Sequence, residues 1–165
     1  MNRKIIFSCL ILIILVIIGL FYISNNYKAS SDIPSINSNL QKGNEHYNTI
    51  VNSINEQKYS EAKKESDTTL EYYSKAKNNT QKALNKAMKQ NNSIQIKYLN
   101  YTLDEINMKI NATYEIRSGI NLINPDNLSI SENHFQTSNQ LMQNATQYTD
   151  KRNQLEKQYP DKFID

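Results

Sequence analysis

The feature that most constrains the fold is a 3-4 spacing of apolar and small residues, present in four stretches. In the first, Ile36, Leu40, Gly43, Tyr47, Ile50 and Ile54 alternate at four and three residues, with Val51 beside them. Residues three and four apart share one helix face, so this spacing predicts a helix with a single packing seam. In the second, Ala62, Ser66, Thr69, Tyr73, Ala76, Thr80, Ala83 and Ala87 keep the same rhythm, flanked by Leu70, Leu84 and Met88. A seam of small residues lets a neighbouring helix come close but buries less apolar area. The third stretch, from about Ile94 to Ile123, carries two stripes. One is Leu99, Leu103, Ile106, Ile110, Ile116, Ile120 and Ile123; the other is Tyr98, Tyr101, Met108 and Ala112. A helix with two apolar stripes needs two neighbours, which places this one at the centre. The fourth carries His134, Ser138, Leu141, Ala145, Tyr148, Arg152, Leu155 and Tyr159, with Phe135 and Met142 widening the stripe.

The breaks between stretches are short. A first helix ends near Gln57 or Lys58, and Ser60 is expected to cap the second. Asn91-Asn92-Ser93 starts the third, and Ser129 to Glu132 has the spacing of a capping box for the fourth. Pro160 stops the last helix. With three Gly and three Pro in 165 residues, the chain lacks the frequent turns of a β-fold. The expected class is all-α: an elongated antiparallel four-helix bundle of helical hairpins over residues 37–159, followed by a tail at 160–165.

Gln57-Lys58-Tyr59-Ser60-Glu61-Ala62, after Gly43, Asn44 and Tyr47, resembles one helical-hairpin unit of a tetratricopeptide repeat over residues 43–66. That repeat has a period of about 34 residues and needs about three copies. Here the second helix runs on and no further copy follows, so the segment reads as an ordinary tight hairpin.

Ahead of these stretches, Ile5 to Ile23 is free of charge and mostly Ile, Leu, Val or Phe. As a helix it would rise about 28 Å, close to the hydrocarbon thickness of a bilayer. Bulky residues follow it, and Ala29-Ser30-Ser31, the one small-residue cluster a cleaved leader would need, lies well beyond. The expectation is a retained transmembrane anchor at 1–27 and a juxtamembrane linker at 28–36. Arg3 and Lys4 keep the N-terminus cytoplasmic and send the bundle outside. Cys9, inside the run, is the only cysteine, so an exported bundle would hold together by packing without an intramolecular disulfide.

Residues 28–165 contain all 16 acidic side chains and 17 of the 19 basic ones, a net charge of about +1. That balance argues against nucleic-acid binding. Lys75, Lys82, Lys86 and Lys89 fall within about 60° around the second helix, and no acid lies between Glu71 and Asp104. This stripe is the candidate contact for an anionic surface, whether polymer, headgroups or acidic partner; the plain alternative is a solvated face near a helix C-terminus. Six Asn-x-Ser/Thr sequons occur, of which Asn91 and Asn127 sit at expected turns and are the candidate glycosylation sites. His46 and His134 lack companions at metal-ligand spacing, and Asp104-Glu105 point about 100° apart and read as a solvated face. No catalytic, cofactor or metal site is expected. The leading reading is an envelope interaction or scaffold module, binding an envelope protein or anionic surface polymer. The alternative is a ligand-sensing bundle that signals through a partner.

Overall fold

Four α-helices account for nearly all of the described residues, which are 32–124 and 126–163 of a computed structural model. The helices are α1 (Ile33–Asn55), α2 (Tyr59–Lys89), α3 (Ser93–Asn121) and α4 (Leu128–Gln158), and a 3-10 turn follows at Pro160–Lys162. No strand occurs among the described residues. None of the described helices is long and apolar enough to cross a membrane. The anchor expected at 1–27, with Cys9, and the first part of the linker lie outside the described residues.

Helix α1 begins earlier than its spacing suggested. Pro34 sits in the first turn, where a missing N–H costs nothing, and Ile33 is already helical and buried. The linker is shorter by that turn. The expected caps at Ser60 and Ser129 are also displaced: both lie inside first turns, behind Lys58 and Asn127, which make no side-chain cap. Asn92 does cap α3, accepting from the Gln95 N–H at 3.2 Å.

Two of the three turns share one device. After α1, Gln57 adopts φ 60°, the Gln57 N–H donates to the Ile54 carbonyl, and the Lys58 N–H donates to the Ser53 carbonyl. After α2, Asn91 adopts φ 52°, with Asn91 N–H to Met88 and Asn92 N–H to Ala87. Both are Schellman closures, made without glycine. Asn tolerates this left-handed backbone; Gln57 accepts a strain of about 1 kcal/mol.

Named contacts establish the alternating directions. The Asn79 amide reaches Ser35 Oγ at 3.0 Å and His46 faces Glu65, so α1 and α2 are antiparallel. Arg117 meets Asp67 between α2 and α3, and Ser131 Oγ donates to the Gly119 carbonyl at 2.8 Å between α3 and α4. Packing follows chain order: α1 on α2, α2 on α3, α3 on α4, with lighter contact from α1 to α3. Thus α3 has two full neighbours, as its two stripes require, and so has α2.

All eight seam residues of α2 are buried, as is the whole α1 seam. Close approach is visible at two glycines. A Cβ on Gly43 would collide with the Tyr73 ring, and one on Gly119 with the Phe135 ring. The core divides into two clusters. One gathers Ile36, Leu40, Tyr73, Leu99, Ile106 and Leu155; the other gathers Tyr47, Ile50, Ile54, Ile116, Ile120 and Met142. Three assignments change. Tyr159, expected on the α4 stripe, follows the last residue of that helix and is 39% exposed. Met88 does not widen the α2 seam; it is 56% exposed. The terminal segment is not all tail, because Phe163 is buried with its ring 5.0 Å from that of Tyr98.

Candidate functional site

The solvated face expected at Asp104-Glu105 holds for Asp104 only. Glu105 is 2% exposed, and Lys109, one turn later on the same face of α3, is 1% exposed. Lys109 Nζ donates to Glu105 Oε1 at 2.6 Å and to Asn44 Oδ1 of α1 at 3.0 Å. Asn44 Oδ1 also accepts from the Tyr73 hydroxyl of α2 at 2.9 Å. From α4, Arg152 Nη2 stands 2.7 Å from Glu105 Oε2, and Nη1 donates to the Tyr98 hydroxyl at 3.3 Å. All four helices therefore contribute to one buried polar network. Its alignment is imperfect: Glu105 Oε2 has no hydrogen bond of good angle, and Arg152 Nε has no partner. The Arg152–Glu105 link is a close charge contact.

Burial alone would push the Glu105 carboxyl upward, but Arg152 and Lys109 beside it outweigh that and hold it below the usual carboxylate range. Arg152 is also desolvated, yet the facing Glu105 keeps it firmly protonated. Nearby, Ser138 Oγ donates to the Ala112 carbonyl at 2.7 Å, which leaves the Tyr47 hydroxyl to donate to Ser138 at 2.7 Å. Burial pushes the Tyr47 phenol up to about 12. An ionised carboxylate held between two cations, with no water-facing side, is a poor base and a poor ligand. The network fixes how the helices meet; it does not offer chemistry to a substrate.

Spacing had already put Arg152 on the α4 seam. What it missed was that Glu105 and Lys109 join it, because isolated charges on a helix normally face water. The available signal was their i,i+4 spacing on a helix that also needed two buried faces.

Both histidines meet a carboxylate from the adjacent helix. His46 Nδ1 lies 2.6 Å from Glu65 Oε2, and His134 Nδ1 lies 2.6 Å from Glu115 Oε2. His46 also stacks on Tyr72 at 5.3 Å. Among the described residues no group of three or more His, Cys, Asp or Glu is arranged to hold a metal.

The four lysines of the α2 stripe are all exposed. Lys75 stands apart, paired with Glu71 at 2.5 Å and set over the Tyr72 ring at 5.2 Å. Lys82, Lys86 and Lys89 crowd the last two turns of α2, with Lys86 3.6 Å from Asp32. The fold adds Lys97 at the start of α3 and Lys157 and Lys162 near the end of the chain, all at the same end of the bundle. The α2 stripe alone could not show these, since they come from other helices. Asn91 is exposed in the α2–α3 turn; Asn127 is half-buried at the start of α4.

Charge is segregated along the long axis. Gly43, Tyr73 and Lys109 lie at mid-height. The half nearer Asp32 (32–43, 74–108 and 145–163) has eleven Lys and Arg against six Asp and Glu. The other half (44–73 and 109–144) has five against nine. The described residues, nearly balanced in total, are therefore basic at one end and acidic at the other.

No known protein family, no curated protein and no solved structure matches this chain.

Proposed function

We propose that the chain is a single-pass, membrane-anchored protein that presents its helical bundle outside the cell membrane as an interaction module for another envelope component. The uncharged run from Ile5 to Ile23 supports the anchor, and Arg3 and Lys4 before it support the orientation. The observation that carries the interaction role is the axial segregation of charge on a bundle whose buried ionic groups are consumed by one another. At the acidic end, Tyr114 is 54% exposed and Ile130 49% exposed. Exposed aromatic side chains such as Tyr114 are enriched where proteins meet their partners.

Affinity purification of the full chain from detergent-solubilised membranes tests this role. The reading predicts that envelope proteins co-purify in stoichiometric amounts and that Tyr114→Ala with Ile130→Ala reduces their recovery. A chain recovered alone would overturn it. A tightly held small ligand in place of a protein would favour the sensing alternative.

A further inference from the structure

We propose that the basic end of the bundle, formed by the α2–α3 turn and the ends of α1 and α4, docks on anionic lipid headgroups of the membrane that holds the anchor. The inference rests on the anchored reading and names what one end of the bundle touches.

Three observations converge on that end. The first is reach. Eight residues separate Ile23, the last of the uncharged run, from Asp32. Fully extended they span at most about 28 Å, so the start of α1 stays near the surface. Helix α2, by contrast, is about 46 Å long. The second is charge. Lys82, Lys86, Lys89 and Lys97 surround the turn, and Lys157 and Lys162 lie beside it. Two helices begin and two finish there, so their macrodipoles largely cancel and side-chain charge sets the field. Asp32, Glu156 and Asp161 offset part of it, but the half keeps its basic excess. The third is apolar exposure. Met88, among those lysines, is 56% exposed, and Tyr159 at the end of α4 is 39% exposed. A thioether and a phenol set among lysines suit the headgroup region, where amphipathic side chains bury their apolar part.

The opposite end turns this attraction into an orientation. Its acidic excess is repelled by the same surface, so the bundle stands with Met88 down and Ile130 up. A bundle lying on its side would bring the acidic half toward the headgroups.

The absence of Trp makes the test direct. Full-length Met88→Trp and, separately, Ile130→Trp are reconstituted into phosphatidylcholine vesicles with and without phosphatidylglycerol, using brominated acyl chains as quenchers. Docking predicts a blue shift and quenching for Met88→Trp in the anionic vesicles only, and neither effect for Ile130→Trp. Adding Lys82→Gln, Lys86→Gln, Lys89→Gln and Lys97→Gln should reduce the docked-to-undocked ratio roughly fivefold per lysine, while circular dichroism stays unchanged. Raising salt should act in the same direction. If the full chain incorporates but Met88→Trp is quenched no more than Ile130→Trp, the docking is wrong and the anchor stands. If the chain does not incorporate at all, the anchored reading fails and the docking with it.

Discussion

Glu105→Gln is expected to destabilise the bundle by about 3–5 kcal/mol, the usual effect of removing one partner from a buried ion pair. The side-chain volume hardly changes. What changes is that Lys109 and Arg152, both buried, lose the one carboxylate that ion-pairs with each among the described residues. The pH dependence follows from the lowered carboxyl. A group whose folded pKa is depressed contributes its full stability above its unfolded value, near 4.3, and loses it as pH falls through the folded value. Urea unfolding from pH 7 to pH 3 should therefore show wild type and Glu105→Gln far apart at pH 7. The gap should narrow below about pH 4, as Glu105 itself becomes neutral. A gap that stays constant with pH would show that the carboxylate charge is not what Lys109 and Arg152 require.

Ile106→Asp is expected to abolish folding. Ile106 is fully buried in the cluster shared by α1, α2, α3 and α4. Losing an Ile side chain there already costs about 2–5 kcal/mol. The new carboxylate adds a desolvation cost of several kcal/mol more. A domain of this size has only about 5–15 kcal/mol in total. Tyr114→Asp on the same helix is the control, because Tyr114 is exposed. Circular dichroism should show lost helicity for the first and native helicity for the second. Native, cooperative unfolding of Ile106→Asp would remove Ile106 from the core.

How much of this fold was legible beforehand differs by kind of residue. The α2 seam, Ala62 to Ala87, was readable in full, because 3-4 spacing leaves a long helix only one face to bury. Met88 was misjudged for the opposite reason: at a helix end there is no further turn to cover it, so an apolar side chain there can stay in water. Capping signals failed at two N-termini, where Ser60 and Ser129 lie inside first turns behind Lys58 and Asn127. Gln57 and Asn91 close their helices with left-handed residues, a role normally signalled by glycine. Lys82, Lys86 and Lys89 could be seen as a stripe. The basic end they belong to required the antiparallel arrangement, which brings Lys97, Lys157 and Lys162 from other segments. Phe163 could not be foreseen, since only the docked geometry shows the short turn after Pro160 returning its ring to Tyr98.

The proposed role depends on a retained N-terminal anchor that holds this bundle at the membrane. Intact-mass measurement on the chain recovered from alkali-washed membranes tests it most directly. A retained anchor leaves a pellet species that still carries the Ile5 to Ile23 run ahead of Asp32. A soluble species whose sequence begins near Asp32 would contradict it.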